Sequence, residues 1–278
     1  MSKSVPGWAY LSVVTNVVLG TTLGLWFLGD RYFTETLLNP PTQTSMAAKA
    51  VEKPEIVAQA ASMSVRRSLT YQDWVDLLGK EAQAMIKKKP DRLIVLAGDS
   101  LTLWFPQDLL PTDYTWLNQG ISGETSAGLA KRLKLFDQAK PQAIFVMVGI
   151  NDLLRGESDQ EVLDAQEDTI KQLKKSHPKS TIVMQSVLPR AKEPITTANA
   201  TKVEALSNDR IYQFNRRLAA LANETRVEFL DLQPLFADKE GFLRSDLTTD
   251  GLHLSTQGYL VWRSAIQTFN QFARRSSL

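Results

Sequence analysis

The chain has no cysteine in 278 residues. That excludes disulfides, thiolate metal sites, a cysteine nucleophile and an acylated cysteine anchor. It leaves the redox compartment open, since a chain without thiols behaves alike in either. Histidine is nearly as scarce, with only His177 and His253. Any chemistry that needs an imidazole therefore has two candidates. No strong excess of one charge exists either. The formal net charge is +2 and no long basic run occurs, so no nucleic-acid partner is indicated. The cluster KKKPDR at 87–92 reads as a solvated helix end. There is no P-loop, no G-x-G-x-x-G and no H-E-x-x-H. The G-x-S-x-G nucleophile elbow is absent around Ser100, which argues against a typical α/β-hydrolase. What remains is ordinary for a globular chain, 43% hydrophobic and 22% charged, enough to build a sizeable core.

One long apolar run is present. Residues 10–28 carry no charge and reach the roughly 20 residues a membrane-spanning helix needs. Trp8 and Tyr10 stand at one end and Trp26 near the other, as in an interfacial aromatic belt. A cleaved signal peptide would have a shorter apolar stretch and a small-residue site close behind; here Asp30, Arg31, Tyr32 and Phe33 follow. The sequence thus predicts an uncleaved anchor over 1–33. Lys3 and the amino terminus place that end in the cytoplasm and the remainder on the outer or periplasmic side. Gly20 and Gly24 form a G-x-x-x-G that can equally be a helix-pairing face or ordinary membrane-helix glycines. Residues 34–68, with Pro40, Pro41 and Pro54, read as a linker, and a globular domain is predicted over 69–278.

Within that domain helical and strand patterns alternate. Thr70 and Asp73 have capping-box spacing, and Trp74, Leu78 and Met85 share a helical face. Apolar, β-branched runs at 93–97, 143–148, 181–188 and 227–232 predict buried strands, with a shorter WLN segment at 116–118. Helices are predicted at 125–137, 159–175 and 203–223, and a last one begins at a Ser255 cap and runs through Trp262, Ala265, Ile266 and Phe269. Strands apolar on both faces between helices imply an α/β fold with a parallel sheet. Sites in such sheets form beyond the carboxyl ends of the strands.

Polar clusters stand at those ends. Gly98-Asp99-Ser100 follows the first strand, Gly120 to Thr125 the WLN segment, and Gly149-Ile150-Asn151-Asp152 the strand at 143–148. Asp250-Gly251-Leu252-His253 precedes the last helix. A serine hydroxyl needs a base within hydrogen-bond reach to become a nucleophile. His253 is the plausible base, because His177 sits in a lysine-rich helix end and is expected to be exposed. Asp250, three residues earlier, can fix the imidazole tautomer. The N–H groups of Ser100 and Gly123 and the Asn151 amide can supply three donors to an oxyanion. Taken singly, Ser100 could be a helix cap, Gly120 and Gly123 turn glycines, Asn151 a turn residue and the Asp250/His253 pair structural. Asp99 and Asp152 read as turn residues that bond backbone. Residues 103–116 and Leu153–Leu154 either line an acyl pocket or pack as core, with core favoured. The polar stretch 190–202, with Pro194, reads as a mobile loop over the cleft.

The four blocks GDS (98–100), GISGET (120–125), GIND (149–152) and DGLH (250–253), in this order, resemble the SGNH/GDSL hydrolase family over about 92–274. The turn GISGETSAGL is most similar to the lysophospholipase/thioesterase and acetylhydrolase branches. The resemblance implies a flavodoxin-like three-layer sandwich of about five parallel strands. It implies Ser100 as nucleophile, His253 as base and Asp250 as its orienting group, with Ser100, Gly123 and Asn151 as oxyanion donors and Gly120 a less favoured alternative to Gly123. It implies a serine hydrolase of lipid, acyl or acetyl esters, or thioesters, acting through an acyl-serine without metal or organic cofactor. An O-acetyl esterase or transferase acting on cell-envelope glycans is the second enzyme reading, and a non-catalytic binding module on the same fold the third. The expected partners are a small-molecule or lipid ester and, through the N-terminal helix, a membrane.

Overall fold

A computed structural model describes residues 69–275. The expected membrane helix and the linker lie outside the described residues. Among the described residues, no helix is long and apolar enough to cross a membrane.

The domain starts on a capped helix. Thr70 and Asp73 form the reciprocal capping box of α1 (Tyr71–Lys88), which buries Trp74, Leu78 and Ala82. The chain then alternates. β1 (Leu93–Gly98) leads into the one-turn helix α2 (Ser100–Leu103), and β2 (Thr115–Gly120) into α3 (Ser126–Arg132). β3 (Ala143–Met147) leads into α4 (Ile150–Leu154) and α5 (Asp159–Ser176). β4 (Thr181–Gln185) is followed by α6 (Ala200–Ala205) and α7 (Asn208–Thr225). β5 (Glu228–Leu230), α8 (Gln233–Phe236) and α9 (Thr256–Arg275) complete it.

The five strands form one parallel sheet in the order β2-β1-β3-β4-β5. This is the flavodoxin-type doubly wound order, with its switch point between β1 and β3. The central strands are apolar throughout because both faces are covered. Val95, Ala97, Ile144, Val146 and Met184 point to the side of α3, α5 and α7. Ile94, Leu96, Phe145, Met147 and Val183 alternate to the other side, where Tyr259, Trp262 and Ile266 of α9 meet them. Period-two alternation thus feeds two cores, one per face.

Several boundaries differ from the expectation, each for a visible reason. The strand predicted at 181–188 stops at Gln185. Beyond it the Asn215 side chain accepts from the Val187 N–H and donates to the Val187 carbonyl, replacing the ladder (2.8 Å each). β5 is short because Asp231 turns the chain, accepting the Gln233 N–H, while the Leu232 N–H goes to Ser186 Oγ. The helix predicted at 203–223 is two helices, separated where Ser207 accepts the Arg210 N–H and caps α7. The helix predicted at 125–137 tightens to a 3-10 turn at Leu133–Phe136. Ser255 caps α9 as expected, accepting the Gly258 N–H. His177 is corrected outright. It is buried and stacked on Phe136, with ring centroids 5.5 Å apart, because α5 ends by turning this residue into the core.

Candidate active site

Ser100, the loop after β2, Asn151 and the Asp250–His253 loop all reach the carboxyl edge of the sheet, at the switch point. Ser100 is the first residue of α2. Asp99 caps this helix by accepting the Leu101 N–H at 3.0 Å. The Ser100 hydroxyl lies 3.1 Å from His253 Nε2, across 153 positions of sequence. On the far side of the ring, His253 Nδ1 lies 2.7 Å from Asp250 Oδ2. Asp250 Oδ1 is held by the backbone N–H groups of His253 and Leu252, at 2.8 and 3.0 Å. Burial raises the Asp250 pKa, but hydrogen bonds from the His253 ring and from backbone outweigh it and hold the carboxyl below its ordinary value. A carboxylate facing Nδ1 assigns the ring proton there and leaves Nε2 free to accept from the serine.

The candidate oxyanion donors differ in what already occupies their N–H groups. The Gly120 N–H is already taken by Asn118 Oδ1 at 2.9 Å, and a Cβ there would lie 2.3 Å from the Leu103 backbone nitrogen. Gly120 is therefore glycine so that β2 can approach α2. Gly123 has φ +75°, and a Cβ on it would meet no atom within 4 Å, so it stands at an open place. Among the described residues no acceptor takes the N–H of Ser100 or Gly123. Asn151 Nδ2 spends one hydrogen on the Glu124 carbonyl at 3.0 Å, which orients the amide and leaves the second.

Residues 96–261 match the model of the GDSL-like lipase/acylhydrolase family. The chain belongs to this family. Membership makes ester hydrolysis its class of activity. Within the family's reach, the platelet-activating factor acetylhydrolase IB subunit alpha1 of Bos taurus is 28% identical over 193 residues, covering 67% of this chain and 77% of that protein. An N-acylneuraminate cytidylyltransferase of Streptococcus agalactiae is 25% identical over 191 residues, covering 68% of this chain but 43% of that protein. In fold, a GDSL-like lipase from Bacteroides thetaiotaomicron superposes with a TM-score of 0.60 at 21% identity, covering 72% of this chain and 98% of that one.

Two features beside these residues, a ring contact on His253 and a buried ion pair, were not read from sequence. Trp104 is 43% exposed and lies against His253, with ring centroids 4.4 Å apart. Glu124 and Arg132 form a fully buried ion pair behind the loop that bears Gly123. A signal for it exists, since Arg132 falls in helical phase with the apolar Leu129 and Phe136. Asp152 accepts the Ser126 N–H with both oxygens, the backbone role expected of it. Phe105, Leu110, Leu153 and Leu154 are buried core, so these positions pack rather than line a pocket. The stretch read as a mobile loop over the cleft is tied to the Asp250–His253 loop. Ala191 N–H donates to the Gly251 carbonyl and Thr196 N–H to the Asp250 carbonyl, both at 2.9 Å.

Proposed function

We propose that this chain is a serine esterase that works through an acyl-enzyme on Ser100, with His253 as general base and Asp250 as its orienting group. One observation carries the reading: the unbroken line from the Ser100 hydroxyl to His253 Nε2 at 3.1 Å and from Nδ1 to Asp250 at 2.7 Å. As Ser100 Oγ attacks the ester carbonyl, its proton passes to Nε2, and the ionised Asp250 stabilises the imidazolium. The carbonyl oxygen becomes an oxyanion held by the N–H of Ser100, the N–H of Gly123 and the free hydrogen of Asn151 Nδ2. Each such donor is worth roughly 2.7–4 kcal/mol of barrier. The imidazolium then protonates the leaving alkoxide. Water, deprotonated by His253 in turn, attacks the acyl-serine; the imidazolium returns the proton to Ser100 Oγ as the acid departs, restoring the free serine.

A short acyl group, acetyl foremost, is the substrate class this proposal prefers. Phe105, Leu110, Leu153 and Leu154 are spent on the core, and the mammalian relatives are acetylhydrolases by name. The purified chain should release nitrophenol from acetyl and butyryl esters faster than from long-chain ones. It should also be labelled by a fluorophosphonate probe. Ser100→Ala should abolish both, and turnover retained in that variant would end the assignment.

A further inference from the structure

We propose that the buried Glu124–Arg132 pair is a positioning device that holds the three oxyanion donors in register and sets kcat. The inference rests on the esterase reading above. Both side chains are only 3% exposed, and Arg132 Nε reaches Glu124 Oε2 at 2.5 Å. Two charges buried this way gain little net stability, since desolvation offsets their attraction, and apolar residues of similar volume often replace such a pair without loss. The pair therefore calls for an explanation other than stability, and its further bonds supply one. Arg132 Nη2 donates to the carbonyl of Gly98 at 3.1 Å, two residues before Ser100. Glu124 is the neighbour of Gly123, and its own carbonyl is the acceptor that orients the Asn151 amide. Its carboxylate also takes the Thr125 N–H at 3.2 Å, and the hydroxyl of Tyr71 in α1 at 3.4 Å. One planar guanidinium thus ties the end of β1 to the loop after β2, and that loop ties Asn151 after β3. Each donor lies within two residues of an atom bound to the pair, or bonds it directly. Lysine, with a single ammonium, cannot hold both acceptors in a fixed fork.

The donors matter only when charge develops on the carbonyl oxygen, so a displaced donor lowers kcat and leaves KM nearly unchanged. In the full chain, the double variant Glu124→Leu/Arg132→Met should keep its melting temperature within about 5 °C, because an apolar pair can replace the ionic one. Its kcat should fall by about tenfold to a hundredfold, the scale of a 1 Å misplacement, with KM within about threefold. Amide hydrogen exchange should rise about tenfold over 98–101 and 120–126 and stay level over 181–185. If the double variant does not fold, Arg132→Lys decides, since charge is kept and the fork lost, and the same kcat and exchange changes are expected. A folded variant with wild-type kcat, or with unchanged exchange in the two loops, would overturn the proposal. Should Ser100→Ala keep its turnover, the esterase reading fails alone, and the exchange measurement still decides whether the pair holds these loops.

Discussion

Replacing Asp99 by asparagine tests the least comfortable group beside the candidate nucleophile. Asp99 is 1% exposed; Oδ1 accepts the Leu101 N–H, while Oδ2 is buried and has no partner among the described residues. The adjoining cavity, lined by Leu101, Met147, Ile150 and Leu252 as well as Asp99, has a volume of about 10 Å³, room for at most one water. A carboxylate there is poorly solvated. Burial, assisted by the charges of Asp152 and Glu124, overrides the Leu101 bond and pushes the pKa from 3.8 up to about 7. The folded chain therefore keeps a proton that the unfolded chain releases. Stability from this group is complete below about pH 4 and is lost as pH rises through 7. Three pKa units correspond to about 4 kcal/mol in order of magnitude. Asparagine copies the protonated form, keeps the acceptor for Leu101 and cannot ionise. Urea unfolding of wild type and Asp99→Asn at pH 4 and pH 8 should show the variant gaining about 4 kcal/mol relative to wild type between them. For a domain of this size that is roughly 8–16 °C in melting temperature. A difference between the two proteins that stays flat across this range would refute the reasoning, because it would mean Asp99 ionises as readily folded as unfolded.

Two further changes carry defined signs. Asp250→Asn should lower stability somewhat at neutral pH, since it removes a carboxylate held in its ionised form, and lower kcat by about 10³-fold or more, because an amide donating to Nδ1 puts the ring proton on Nε2, where the Ser100 hydroxyl must be accepted; steady-state kinetics with a nitrophenyl ester checks the second, and near-normal kcat would count against Asp250. His177→Phe removes a buried ring whose pKa burial depresses below 6.5, against the raising effects of Asp137 and a backbone bond to Ala139. The wild type loses stability as acid protonates the unfolded chain below about pH 6.5, so the variant's relative stability should climb from pH 7 to pH 5; thermal melts at the two values decide it.

Much of this was legible in sequence, and the reasons are specific. Runs such as 93–97 and 143–148 are apolar on both faces because both faces of the sheet are covered, so their pattern announces the parallel sheet. That Ser100, Gly123, Asn151, Asp250 and His253 lie at one edge of the sheet could be anticipated because each stands at a strand end or before a helix, where an α/β sheet exposes its chemistry. The misses share a cause, long-range contact. Gln185 ends its strand because Asn215, thirty positions on, takes over the backbone. Ser207 divides one periodic pattern into two helices because its hydroxyl competes for the backbone. His177 carried a lysine-rich neighbourhood that read as surface, but the cap residue itself turns inward onto Phe136. Trp104 stands in the stretch 103–116 that read as pocket lining or core, but its contact with His253 had no local cue, since that partner comes after the last strand.

The distance in sequence between Ser100 and His253 has a consequence for how the protein comes into being. The ribosome delivers the Ser100 hydroxyl early, just after the first strand, and the His253 imidazole only after the last strand has been made. Until the loop before the closing helix is made, a nascent chain carries the hydroxyl without the imidazole that faces it in the fold. On the proposed mechanism, chains broken off anywhere before position 253 lack the base, however well their sheets assemble, so premature termination should yield silent fragments rather than unregulated ones.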